Sequence, residues 1–275
     1  MDFLAPIVTR RVDSWEGFLR EKVTFSFDGE LVDTYLALPH SLPRRQTPPF
    51  PCIIGMHGFT GSKGEWFDMD LYTKGGNLVK RLLSEGYAIF SADGVLHGER
   101  HQRLFPGSVK DTEVGYRTYR EYLQARFDRV FYSTLAEYDF HIRYLLGRPE
   151  IASDRMAVMG YSLGGHWAYG LLHRCEHIRA IATMVYYPNE KIEPFLVPRG
   201  AGMDICLVPK LMLFATNDDY QEDLTPIREF LDANRHHGID TLYFDSDHSL
   251  PVDYVTPVVA WFTRRFPPVE NERGA

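Results

Sequence analysis

The chain has few cysteines. Among its 275 residues only Cys52, Cys175 and Cys206 carry thiols, and no CxxC pair or Cys/His ligand spacing occurs. So few, widely separated thiols exclude a disulfide framework and a zinc site, and they read as reduced packing residues of an intracellular protein. Long apolar runs are also missing, since no span approaches the roughly 18 consecutive apolar residues of a membrane helix. Met1 to Phe18 carries charges at Asp2, Arg10, Arg11 and Asp13 and has no apolar core of a secretory signal. A cytoplasmic protein without a membrane partner is therefore expected. Positive charge is not in excess: 30 Lys and Arg against 37 Asp and Glu give a formal net charge of -7. The basic residues are scattered rather than striped, which argues against nucleic acid as a partner. Repeats, low-complexity tracts and linkers are absent as well. With 44% hydrophobic residues, residues 1–275 can form one core, and a single domain is the default.

What is present is an alternation of strand and helix patterns. Lys22 to Phe27 and Leu31 to Leu38 alternate apolar and polar residues about Asp28-Gly29, the signature of a hairpin. An apolar strand from Cys52 ends in His57-Gly58-Phe59. A helical stripe of Leu78, Leu82 and Leu83 stops at Gly86, and the strand-like Ala88 to Ser91 runs into a polar loop from Ala92 to Arg100. Thr225-Pro226 suits the cap and first turn of a helix closed by Gly238, and Val252 to Phe266 reads as a final helix.

The most informative stretch is Gly160-Tyr161-Ser162-Leu163-Gly164, which follows the apolar run Arg155 to Met159 and precedes a helical segment. A serine between glycines at a strand-to-helix turn suits a nucleophile elbow, with its oxygen projecting and a helix N-terminus facing developing negative charge. The bland alternative is a Gly-rich turn with a serine helix cap. Downstream, the strand Lys210 to Ala215 stops at Thr216-Asn217-Asp218-Asp219, and the strand Ile239 to Asp245 stops before Asp247-His248. Serine, acid and histidine thus follow one another, each at the C-terminal end of a strand, where an open parallel sheet binds ligands. In such a site the N–H of Leu163 and an N–H after the Cys52 strand, assigned to Phe59, would form an oxyanion hole. His57, Gly58 and His97 are candidates to support that loop.

His57-Gly58-Phe59, Asp93 to Arg100, Gly160 to Gly165, Asp218 and His248 together resemble the α/β-hydrolase superfamily, most closely the single-domain serine esterases of its dienelactone-hydrolase-like and prolyl-oligopeptidase-like groups. The resemblance implies an α/β fold. Its mostly parallel central sheet would be flanked by helices on both faces, with an N-terminal antiparallel hairpin and a small cap insertion over residues 101–127. It implies Ser162 as nucleophile, His248 as general base and then acid, and Asp218 as the residue that orients His248. Two departures stand out: Ala215 occupies a position where many relatives have glycine, which keeps Asp219 open as the acid, and dienelactone hydrolases carry cysteine where Ser162 stands. A serine hydroxyl is protonated near neutrality, and an imidazole, with a reference pKa of about 6.5, can both take and return its proton.

The expected function is hydrolysis of small to medium acyl esters through an acyl-enzyme, with a small-molecule ester as partner and no metal or organic cofactor. Whether the chain forms a homo-oligomer stays open. The alternatives are a small-substrate amidase or aminopeptidase of the same fold, and a non-catalytic ligand-binding protein. Two segments exceed what a sheet needs. Residues 101–127 interleave aromatics with Arg103, Arg117, Arg120 and Arg126, and could either shape a pocket or pack as an amphipathic helix. Residues 186–209 read as a variable loop.

Overall fold

A computed structural model describes residues 7–39, 47–104, 113–188, 208–221 and 223–268. Phe105, Cys206 and most of the segment 186–209 lie outside the described residues. The fold is built on one nine-stranded sheet in the order β1-β2-β3-β5-β4-β6-β7-β8-β9. β1 (Ile7–Trp15), β2 (Phe18–Phe27) and β3 (Glu30–Leu38) form an antiparallel meander that continues antiparallel onto β5 (Ala88–Ala92). From β5 the ladder is parallel through β4 (Phe50–Met56), β6 (Ile151–Tyr161), β7 (Ile178–Met184), β8 (Lys210–Ala215) and β9 (Ile239–Phe244). This is the architecture that the resemblance implies.

The expected hairpin forms with Asp28 and Gly29 both at positive φ, as a tight primed turn demands, and Glu16-Gly17 repeats the device between β1 and β2. β1 is an element the sequence patterns did not reveal. Apart from half-buried Trp15, its residues are exposed on both faces, so it lacks the alternation that marks a strand. Cross-strand pairs hold it instead, with Arg10 on Glu21 and Arg20 on Asp13.

Helices cover both faces of the sheet. On one side pack α4 (Phe127–Leu146), α5 (Leu163–Leu172) and α6 (Thr225–Ala233); on the other lie α1 (Gly75–Ser84) and α7 (Val255–Arg265). The period-2 geometry of β4 feeds both layers, sending Cys52, Ile54 and Met56 to the first and Ile53 to the second. The predicted stripe of α1 is buried at Leu78, Leu82 and Leu83, each contributing about 1.5–3 kcal/mol through burial. Two boundaries differ from expectation. Thr225 is the first helical residue of α6 rather than its cap, because Asp223 Oδ1 accepts the Thr225 N–H at 2.8 Å, and α6 ends at Ala233, before a separate turn at Arg235–His237. The last helix is divided, with a 3₁₀ turn Val252–Tyr254 leading into α7.

Cys52 and Cys175 are buried free thiols, as packing residues should be. Among the described residues, no helix is long and apolar enough to cross a membrane, and no cluster of three or more His, Cys, Asp or Glu could hold a metal ion.

Candidate active site

Ser162 sits between β6 and α5 with φ 52° and ψ -116°, a strained conformation for a residue with a side chain. Its neighbours explain how the turn survives. A Cβ on Gly160 would fall 2.2 Å from the Gly164 carbonyl oxygen, and one on Gly164 would fall 2.1 Å from that of Met56. Both positions therefore need glycine for lack of space. The backbone is pinned on either side, Ser162 N–H donating to Met184 O at 2.8 Å and Gly165 N–H to Ser162 O at 2.9 Å. The Ser162 side chain makes no helix-capping bond. That removes the bland reading of the motif and leaves its oxygen for other work.

His248 follows β9, and its Nδ1 lies 2.6 Å from Asp218 Oδ2. A carboxylate can only accept, so Nδ1 carries the hydrogen and Nε2 keeps its lone pair for use as a base. Asp218 is buried whereas Asp219 is exposed, and it is Asp218 that meets the imidazole. Three donors converge on its carboxylate: His248 Nδ1 and the Tyr187 hydroxyl (2.7 Å) on Oδ2, and the Tyr220 N–H (3.0 Å) on Oδ1. Burial works against the Asp218 charge, but these donors outweigh it and hold its pKa below the ordinary carboxylate value.

The histidine loop is tied to the elbow itself. The hydroxyl of Tyr161, the residue before Ser162, donates to the His248 carbonyl at 2.6 Å and accepts the Leu250 N–H at 3.1 Å. Histidine and acid are thus tied by hydrogen bonds to the strand that ends at Tyr161, the residue before Ser162.

On the opposite wall is the loop after β4. Leu163 opens α5, so its N–H has no acceptor within the helix. Glu65 Oε2 accepts the N–H of Gly58 at 3.0 Å, one residue before the second assigned donor, Phe59. His57 bridges two loops: its Nε2 accepts the Gly94 N–H at 2.9 Å, and its Nδ1 lies 2.8 Å from Gly58 O, which fixes the hydrogen on Nδ1. His97 packs against both His57 and Phe59, with ring centroids 4.9 and 6.2 Å away, and its Nδ1 is held 2.8 Å from Val95 O. His57 and His97 therefore pack between the loop after β4 and the loop after β5.

Beneath this wall, buried Lys63 bonds Asp93 at 2.9 Å and Glu99 at 2.9 Å, while Asp93 also accepts the Lys63 and Glu99 N–H groups. Burial disfavours the charge on Lys63, yet the two carboxylates more than offset it and raise its pKa. This cluster clamps the Asp93 loop to the chain following Phe59.

Of the segment 101–127, α2 (Gly98–Leu104) and α3 (Glu113–Gln124) are described. Tyr119 and Leu123 pack inward, and the Tyr119 hydroxyl donates to Leu96 O at 2.9 Å. The packing reading holds for these two. Tyr116 instead stays exposed, its hydroxyl 3.5 Å from Thr60 Oγ1 in the loop after β4.

Tyr187, Tyr161 and Glu65 are site residues that the sequence did not announce. Tyr187 stood in a stretch read as variable loop, and Tyr161 was visible only as filler in the serine motif. Glu65 had one signal, the glycine at position 61, where a Cβ would lie 1.9 Å from the Glu65 carboxylate. Removing the Tyr187 hydroxyl deletes one charge-assisted bond to Asp218, so Tyr187→Phe should lower kcat/KM roughly tenfold without unfolding the protein. Steady-state kinetics beside a thermal melt measure this, and unchanged kinetics would show that the bond is dispensable.

A family model described as the dienelactone hydrolase family matches residues 32–257. No curated protein sequence matches significantly. Among solved structures, the chain is similar to a cold-adapted esterase from an Arctic intertidal metagenomic library, with 14% identity and a TM-score of 0.63, over 93% of this chain and 97% of that one. It is also similar to an esterase of Pyrococcus furiosus, with 16% identity and a TM-score of 0.60, over 94% and 99% of the two chains. At these identities the likeness speaks to the fold.

Proposed function

The chain belongs to the dienelactone hydrolase family and is a carboxylic-ester hydrolase, and from that premise we propose that it works as a serine esterase, with Ser162 as nucleophile, His248 as base and acid, and Asp218 as the orienting carboxylate. The observations that carry this reading are the strained, uncapped Ser162 and a His248 whose Nδ1 is fixed on Asp218 and whose carbonyl is bonded by Tyr161, the residue before Ser162. In the first step His248 Nε2 takes the Ser162 proton as Oγ attacks the ester carbonyl, and the carbonyl π pair moves onto oxygen. The N–H groups of Phe59 and Leu163 receive that oxyanion; in comparable sites one such donor is worth about 3–4 kcal/mol. Collapse breaks the bond to the leaving alkoxide, which takes the proton from His248 and departs as an alcohol. Water then repeats the sequence on the acyl-serine, releasing the acid and regenerating Ser162. Asp218 stays ionised throughout and stabilises the imidazolium.

The substrates are small to medium acyl esters. The test is hydrolysis of short-chain nitrophenyl esters together with labelling by a fluorophosphonate probe. Wild type should be labelled and turn over, and Ser162→Ala should do neither. Normal turnover by a folded Ser162→Ala protein would overturn the assignment, and a preference for aryl amides over esters would redirect it to an amidase.

A further inference from the structure

Five tyrosines expose part of their surface among the described residues, and three of them, Tyr72, Tyr116 and Tyr220, neighbour residues of the proposed site. They come from three separate parts of the chain and touch three different pieces of the machinery. The Tyr220 ring lies 4.7 Å from the His248 imidazole, and the Arg120 guanidinium is 5.6 Å from the centre of the same ring. Tyr116, one helical turn before Arg120 on α3, places its hydroxyl 3.5 Å from Thr60 Oγ1. Tyr72 meets Tyr161 edge-on at 5.6 Å, with its hydroxyl 3.0 Å from where a Gly58 Cβ would stand. Enclosure of that hydroxyl raises the Tyr72 pKa, and Glu65, Tyr161, Tyr116 and Tyr220 add to the effect.

Exposed aromatic surface clustered at a crevice is a mark of ligand contact. We propose that Tyr72, Tyr116 and Tyr220 form an aromatic subsite for the alcohol part of the ester, so that preferred substrates carry an aromatic ring on the leaving group. The inference rests on the serine-esterase reading in one respect. His248 must protonate the leaving oxygen, so the first atoms of the leaving group lie near His248, whose ring is flanked by buried Tyr161 at 6.0 Å and by exposed Tyr220 at 4.7 Å. An aromatic leaving group then meets edges and faces of phenol rings, where offset and edge-to-face contacts favour it over a saturated ring of equal size. Arg120 approaches the face of Tyr220, and Thr60 neighbours Tyr116.

Benzyl acetate and cyclohexylmethyl acetate separate these effects, because both release primary alcohols of similar size and the chemical step is closely matched. The wild-type protein should favour the benzyl ester by about fivefold in kcat/KM. Tyr220→Leu and Tyr116→Leu should each drive that ratio toward one, while Tyr220→Phe keeps it. Tyr116→Leu, on the wall away from His248, carries the test should Tyr220→Leu fail to fold. A wild-type ratio near one, or leucine variants that slow both esters equally, would overturn the subsite. Methyl acetate is the separate arm: failure of the wild type to hydrolyse it while also ignoring both ring esters would count against the esterase reading itself.

Discussion

Asp218→Asn is expected to cut kcat by about 10⁴-fold, the loss seen when comparable triads keep their shape but lose the orienting carboxylate, while Asp219→Asn stays near wild type. Asp218 Oδ2 receives two donors and Oδ1 a third. An asparagine amide has a single acceptor atom, so its NH₂ must face either the Tyr220 N–H or the donors at Oδ2. If the amide nitrogen meets His248, the imidazole moves its hydrogen to Nε2 and can no longer accept the serine proton. If it meets Tyr220, a backbone donor loses its partner, and the His248 imidazolium still lacks a countercharge. Asp219 is exposed and takes no part in this arrangement. Turnover of a soluble nitrophenyl ester by both variants, with Ser162→Ala as the floor and melting curves as the control for folding, decides between them. Loss confined to Asp219→Asn would overturn the choice of acid.

The second large effect is acid sensitivity of the fold, and it arises away from the site. His141 on α4 is enclosed by Phe25, Phe90, Tyr138 and Phe140, and its Nδ1 has no hydrogen-bond partner among the described residues. Burial, reinforced by the Arg100 charge, holds its pKa at about 3. His166, beside Tyr186, is lowered to about 4 by burial. An unfolded chain protonates these rings near pH 6.5 while the folded one keeps them neutral, so the stability they contribute is complete above that pH and drains away as pH falls. Between pH 7 and pH 5 the loss from His141 is about 2 kcal/mol, with a contribution of the same sign from His166. Asp218, Glu21 and Glu150, whose pKa values are lowered, give up their stabilisation only below the ordinary carboxylate range, outside this window. Glu137, one turn before His141 and paired with Arg100, is raised by burial and acts in the opposite sense, so the comparison must isolate His141. Urea midpoints at pH 7 and pH 5 for wild type and His141→Phe do so. The variant should lose less than the wild type, and equal losses would refute the account.

Much of this architecture is written in local patterns. Apolar runs ending in Gly or Asp marked β4, β6 and β8, and a serine between glycines marked the elbow, because sterics at Gly160 and Gly164 leave no alternative residue. Ser162, Asp218 and His248 could be ordered along the chain before any coordinates, since a parallel sheet brings strand ends to one rim. β1 was illegible because its residues face solvent on both sides and leave no period to read. Tyr187 and Glu65 were illegible for another reason: each acts through bonds to a loop, and a bond between residues 31 or 7 positions apart leaves no spacing rule behind. The helix at Thr225 was displaced by a single residue because Asp223 outcompetes threonine for the first free amide.

One oxygen atom, that of Tyr161, stitches the strand bearing the proposed nucleophile to the segment bearing its proposed base. The two halves of the chemistry therefore do not fluctuate as independent loops. Loosening the β9–α7 connection must first rupture a bond anchored inside the sheet, so catalytic competence and global integrity should disappear over the same temperature interval, without a preceding inactive but folded stage.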